Sequence, residues 1–423
     1  MAGSAAAIVW PTETPVAVVG IGADGWGGLG ELSRSAIADA EVILGSARQL
    51  ALVPEEVSQP RRRAWPSPLL PALPELLAAH RGSRVCVLAS GDPMFYGIGV
   101  TLAKLVGPQA LRVLPQPSSA TLACARLGWP VAETPVVSVV GRRLQTVLPE
   151  LVDGRRVLVL APDESSPARL AELLARNGFG GSTLTVLEQL GGPGERAVSG
   201  TAGTWAEPPG DPLNIVALEC VADPGTSRLT RMPGLADGEY GGDGQLTKAE
   251  VRTLALAALA PSPGELLWDV GGGSGTIAIE WCRTHPSCRA VGFERAESRR
   301  QQIAENATTL GVPGIDIRGE VPAALREGDL ADPDAVFLGG GLTHPGVFET
   351  CWARLRSGGR LVANAVTAES EALLLGWAAE HGGALRKFQV YRAEPLGGFT
   401  TWRPQLPVTQ WSVTKIVPDR GDK

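Results

Sequence analysis

Two glycine-rich stretches have the spacing of turns that cradle a ligand. In VAVVGIGADGWGGLGELS (16–33), Gly20, Gly22 and Gly25 spell G-x-G-x-x-G between a strand-like run and a helical pattern. That is the arrangement of a dinucleotide-binding turn. In ELLWDVGGGSGTIAIEW (265–281), Asp269 closes a strand-like run and is followed by Gly271, Gly273 and Gly275, giving D-x-G-x-G-x-G with Thr276 next. Glycines at such a turn let the backbone pass beneath a ligand without Cβ interference. The free N–H groups of the helix beyond it can bind a ligand carboxylate. The following run, RAVGFE, ends in Glu294, about twenty residues past the glycines, where an acid accepts hydrogen bonds from both hydroxyls of a ribose. The first turn has no such acid: its second strand-like run, EVILG, ends in Gly45 and continues SARQL. This argues against a nicotinamide cofactor there.

Other chemistry is sparse. Cys86, Cys124, Cys220, Cys282, Cys288 and Cys351 are scattered without a C-x-x-C pair, so reduced, buried thiols are expected rather than a zinc site, even where Cys282 and Cys288 flank His285. A formal net charge of -6 opposes a nucleic-acid backbone as partner. The amino terminus, MAGSAAAIVWPTETP, has no basic n-region, and nowhere do eighteen apolar residues run uninterrupted. A cytoplasmic protein with no secretory signal and no membrane partner is expected.

The elements that must position these turns alternate strand and helix throughout, which is the α/β signature. The 423 residues exceed one ordinary core. Between residues 221 and 245, VADPGTSRLTRMPGLADGEYGGDGQ loses periodicity and fills with Gly, Pro and Asp. A linker over 223–242 is therefore expected between a domain at 14–222 and one at 243–418. At the start of the second, Thr247 and Glu250 have the spacing of a capping box, and further along come GIDIRG, FLGGGLTHPG and GRLVANAV.

The D-x-G-x-G-x-G turn with its acid resembles the class I S-adenosylmethionine-dependent methyltransferases. With GQLTKAEV and FLGGG, residues 243–418 resemble the decarboxylating methyltransferase domain of corrin biosynthesis. That resemblance implies cofactor contacts from Thr247, Gly271, Gly272, Gly273, Ser274, Gly275, Glu294 and the backbone of Val321. GIGADGWGGL, SGDPMFYG (90–97) and PSSATLACARLG (117–128) together resemble the tetrapyrrole (corrin and porphyrin) methyltransferases, whose two α/β subdomains bind S-adenosylmethionine between them. Gly91, Asp92, Ser118 and Ser119 are the implied cofactor residues, and the two serines can cap a helix. The sequence departs from that family at Ala23 and Asp24, where G-x-G-P-G is common, and at Val140, where histidine is common.

The fusion resembles the precorrin-6Y C(5,15)-methyltransferases (decarboxylating) of cobalamin biosynthesis. It implies a two-subdomain tetrapyrrole methyltransferase fold joined to a Rossmann-like class I domain, two S-adenosylmethionine molecules per chain, a precorrin substrate and a homo-oligomer. It also implies methylation of precorrin-6B at carbons 5 and 15 with loss of carbon dioxide from the carbon-12 acetate, giving precorrin-8. The electron-rich macrocycle is its own nucleophile, so no activated side chain and no metal is needed. His344, Arg142 and Arg143 are the candidates for touching the substrate's carboxylates. The alternative reading is a class I methyltransferase acting on another small molecule, with the first domain a ligand-binding module.

Overall fold

The computed structural model describes residues 8–57, 61–242, 244, 246–326 and 330–416. The chain divides into two compact units, Met1–Arg142 with Asp153–Thr226, and Arg143–Val152 with Ser227–Lys423. Among the described residues, no helix is long and apolar enough to cross a membrane.

The first unit holds two five-stranded sheets. One contains β1 (Val16–Ile21), β2 (Val42–Gly45), β3 (Arg61–Ala64), β4 (Val85–Ser90) and β5 (Leu111–Leu114), in the order β3-β2-β4-β1-β5 with every pairing parallel. β1, β2 and β4 read as unbroken apolar runs because both faces are covered, as parallel central strands require. The other contains β6 (Val136–Ser138), β7 (Arg156–Leu160), β8 (Thr183–Glu188), β9 (Arg196–Thr201) and β10 (Asn214–Glu219), in the order β6-β7-β10-β8-β9 and mostly antiparallel.

The second unit is built on β11 (Leu266–Val270), β12 (Arg289–Phe293), β13 (Asp316–Arg318), β14 (Ala335–Leu338), β15 (Arg360–Ala365), β16 (Ala384–Phe388), β17 (Tyr391–Leu396), β18 (Phe399–Pro404) and β19 (Val408–Thr414). Seven of these form one sheet in the order β13-β12-β11-β14-β15-β19-β16, while β17 and β18 pair as a separate hairpin. β11 to β15 are parallel, and β19 runs antiparallel between β15 and β16. Along β11, Leu266, Trp268 and Val270 pack into one core and Leu267 into the other, the two-residue alternation of a strand buried on both faces. The strand order reverses between β11 and β14, which opens a crevice beyond their carboxyl ends.

The segment expected to link the domains differs in the structure. From Ser227 it groups with the second unit, and Leu235 and Tyr240 are buried in that unit's core. Side-chain chemistry elsewhere accounts for this. The fully buried Arg252 donates to the carbonyls of Leu235 and Thr247 and to Glu280, the last at 2.6 Å. Glu280 also accepts from the N–H groups of Gly234 (2.6 Å) and Leu235 (3.0 Å) and from the Tyr240 hydroxyl (2.9 Å). A buried ion pair is tolerable only when its remaining donors and acceptors are met, and this aperiodic segment meets them.

Candidate functional site

In the second unit the glycine turn lies between β11 and the helix Thr276–Thr284, at the crevice. Asp269 is buried and accepts from the Ala278 N–H at 3.0 Å, pinning that helix to the strand. Burial pushes its carboxyl up to about 7, with the Glu294 charge acting in the same direction. A Cβ on Gly271 would come within 2.7 Å of the Gly340 backbone, so the β11 and β14 loops touch main chain to main chain. The helix begins at Gly275, in the left-handed region (φ 78), without a side-chain cap. Asp269 takes the Ala278 N–H in place of a cap, so the turn Gly271–Ser274 rather than the helix end faces the cavity.

Glu294 follows β12 and accepts from the Gly273 N–H (3.0 Å) through one oxygen and from the Ala296 N–H (2.9 Å) through the other. These bonds fix the carboxylate while leaving lone pairs for two hydroxyl donors. Thr247, Gly271, Gly272, Gly273, Ser274, Glu294, Val321 and His344 line one cavity of about 940 Å³. The sequence-predicted residues of this half therefore converge, apart from Gly275, which lies behind the turn against Ile303. His344 is exposed, at the rim in the loop after β14. The glycine turn and the anchored acid fit the ribose of S-adenosylmethionine.

The capping box expected at Thr247 and Glu250 does not form. The helix is Ala249–Leu259 and its N-cap, Lys248, makes no side-chain cap bond. Asp237 accepts from the Ala249 N–H instead, at 2.9 Å, and Glu250 pairs with Arg392 of β17 at 2.8 Å. A carboxylate brought in by the supposed linker satisfies the helix end, which frees Glu250 for the hairpin. Arg252, Glu280, Asp237 and Arg392 went unrecognised in the sequence. One signal was present: Glu280 sits among the apolar residues of TIAIEW, a charge on a face that should be buried.

In the first unit, Gly20, Gly91 and Ser118 come together at the ends of β1, β4 and β5. The Gly91 N–H donates to the Ile21 carbonyl (3.2 Å), and the Gln116 N–H donates to the Gly91 carbonyl (3.2 Å). Ser118 caps the helix Ser119–Leu127, accepting from the Thr121 N–H at 3.1 Å. Ser119 is that helix's exposed first residue. Asp92 accepts from the Met94 N–H at 2.8 Å and holds the bend of SGDP. Arg142 and Arg143 do not act as a pair. Arg142 lies over the Tyr96 ring in the first unit, whereas Arg143 groups with the second and donates to the Thr308 hydroxyl at 3.3 Å. All six cysteines are free and buried, and among the described residues no cluster could hold a metal ion.

A seven-stranded sheet of this order, with a glycine turn at its reversal and an acid after the next strand, defines a class I S-adenosylmethionine-dependent methyltransferase domain. Residues 238–415 match the family described as precorrin methyltransferase domain, and residues 15–206 match the tetrapyrrole (corrin/porphyrin) methylases. The chain is 52% identical over 403 residues to the precorrin-6Y C(5,15)-methyltransferase [decarboxylating] of Mycobacterium tuberculosis, covering 95% of this chain and 100% of that relative. It is 48% identical over 416 residues to the Sinorhizobium sp protein of that name, covering 98% and 99%. The cobalt-precorrin-6B C(15)-methyltransferase (decarboxylating) of Salmonella typhimurium is 32% identical over 169 residues, 38% of this chain and 85% of that relative. The chain belongs to the precorrin-6Y C(5,15)-methyltransferase (decarboxylating) family.

Proposed function

We propose that this chain methylates precorrin-6B at carbons 5 and 15, using one S-adenosylmethionine in each unit, and removes carbon dioxide from the carbon-12 acetate to give precorrin-8. The observation that carries the reading is the identity to full-length relatives of that activity across both units. S-adenosylmethionine supplies an electrophilic sulfonium methyl group. The work left to the protein is to hold a nucleophilic ring carbon in line with it, which is a matter of positioning.

In the second unit, Glu294 and the turn Gly271–Gly275 hold the cofactor, with Thr247 held beside it by Arg252 through its carbonyl. His344 at the rim contacts a substrate carboxylate. This unit methylates carbon 15 and decarboxylates, in keeping with the name of the half-length Salmonella relative. Carbon 5 is left to the first unit, where Gly91, Asp92, Ser118 and Ser119 border the cofactor. Incubation with precorrin-6B and excess S-adenosylmethionine, followed by mass spectrometry, tests the reading. Gain of two methyl groups with loss of one carbon dioxide is expected; a product that keeps every carboxyl would overturn it. Calorimetric titration of the full chain with S-adenosylmethionine is expected to give a stoichiometry of about two, one site per unit.

A further inference from the structure

The cavity of the second unit has two kinds of wall. On the cofactor side it is polar, with Thr247, Ser274 and Glu294. On the side formed by β15, β16 and β19 it is lined mainly by Val366, Phe388, Val390, Leu406 and Val408, with two polar residues, Asn364 on β15 and Gln405 before β19. The cation on the adjacent β17, Arg392, is held by Glu250 at 2.8 Å and Asp237 at 3.7 Å. Asn364 faces Gln410 across the β15–β19 ladder. Gln410 is fully buried and donates from Nε2 to the Asn364 Oδ1 at 3.0 Å. With its oxygen so engaged, Asn364 keeps a buried Nδ2 that has no hydrogen-bond partner. A buried amide N–H left unmet costs free energy, and an acceptor that met it would recover that cost.

We propose that Asn364, held in orientation by Gln410, is the hydrogen-bond donor to the acetate carboxylate that the second unit removes. This rests on the decarboxylating activity proposed above and assigns the residue that serves it. The bond between the acetate methylene and its carboxyl carbon breaks, and carbon dioxide leaves. The electron pair passes into the conjugated macrocycle, and the acetate carbon takes a proton from water to end as a methyl group. The negative charge thus leaves the carboxylate in the transition state. A cation on that carboxylate would stabilise the starting state more than the transition state and slow the loss. A single neutral amide fixes the carboxylate so that the breaking bond stands across the ring plane, where its electrons can enter the π system. The apolar wall leaves the charge poorly solvated until it disperses. Arg392 is charge-paired through Nη2 with Glu250 and Asp237, while its Nε has no hydrogen-bond partner.

The test uses the full chain with precorrin-6B and S-adenosylmethionine, reading carbon dioxide release, methyl transfer and cofactor affinity separately. Asn364→Leu is expected to slow carbon dioxide release roughly 10- to 100-fold through lost orientation of the carboxylate, with cofactor affinity unchanged. Asn364→Asp, nearly the same shape, sets a carboxylate against the substrate's own. It is expected to lose activity near neutral pH and to regain it as the pH falls and the new side chain becomes a donor again. That pH profile is one a purely structural role would not produce, and it carries the test if Asn364→Leu does not fold. Normal carbon dioxide release by both variants would overturn the assignment of Asn364 while leaving the proposed function standing. Absence of release from the unaltered protein would instead remove the reading on which the assignment rests.

Discussion

The two glycine turns look alike in sequence and serve different physical needs. At Gly20 the constraint comes from the protein itself, since a Cβ there would lie 1.9 Å from the Gly91 carbonyl oxygen and 2.7 Å from the Gln116 nitrogen. The glycine allows β1, β4 and the chain after β5 to close against one another. No helix starts at the third glycine, as a dinucleotide turn would need; a short 3-10 turn, Gly25–Gly28, intervenes before the helix Glu31–Ala38. In the second turn the helix starts at once after Gly275, pinned by Asp269, with Glu294 fixed beside Gly273 at the cavity. Both turns meet neighbouring backbone, at Gly20 and at Gly271, while the second also presents Gly272, Gly273 and a fixed acid to a cavity. The G-x-G pattern alone does not separate the two cases; the position of the helix and of the acid does.

The largest effect is expected where backbone meets backbone. Gly20→Val must displace the β4 loop, so a loss of ~4 kcal/mol or more is expected, close to unfolding the first unit. Gly27→Ala, where nothing lies within 4 Å, is expected to be nearly silent. Equal melting temperatures for these two variants would break the distinction drawn for the first turn. In the second turn, Gly273 sits at φ 56 and gives its N–H to Glu294. Gly273→Val is expected to abolish one methylation together with carbon dioxide loss, leaving a singly methylated, still carboxylated product by mass spectrometry. Gly91→Val, at φ 55 and 2.9 Å from the Pro117 carbonyl oxygen, is expected to do the converse. Normal carbon dioxide release by Gly273→Val would erase the division of labour between the turns.

How much was legible in the sequence follows the same line. The parallel strands stood out because burial on both faces makes them unbroken apolar runs. β3 was missed because RRRA reads as a solvated stretch, yet an edge strand is where charge is favoured. β9 and β18 were missed because their residues are mostly exposed, with no alternating buried face to give a core signal. Gly271, Gly273 and Glu294 were legible because a local pattern fixes them. Asn364, Gln410 and the Arg252–Glu280–Asp237 cluster were not, since each depends on residues far apart in the chain meeting in the fold. The aperiodic segment before residue 243 lacked hydrophobic periodicity because buried charges, rather than an apolar face of its own, hold much of it in place.

A middle-sized effect is expected at the acid of the second turn. Glu294→Ala removes the acceptor for the ribose and for the Gly273 N–H. Each charge-assisted hydrogen bond lost is worth about 1.5–3 kcal/mol, so cofactor affinity in the second unit is expected to fall at least about tenfold. Affinity at the first-unit site is expected to stay unchanged. Calorimetry on the full chain, resolving two sites, reads both. Equal weakening of the two sites would mean that the turns are coupled.

The smallest effect distinguishes the turns by pH. Asp269 lies under the second turn, and its carboxyl is pushed up to about 7 by burial and by the Glu294 charge. A carboxyl whose folded value exceeds its unfolded one binds its proton more tightly when folded. Its contribution to stability is therefore fully present below the unfolded value, near 3.8, and is lost as pH rises towards 7. Asp269→Asn stays neutral and can still accept from the Ala278 N–H through its amide oxygen. The melting temperature of Asp269→Asn relative to the unaltered protein is expected to climb between about pH 5 and about pH 8, then level off. Taking the difference between the two proteins cancels the other titrating groups. A constant offset over that interval would show that Asp269 is already ionised in the folded protein, and that the second turn tolerates two neighbouring negative charges without a ligand.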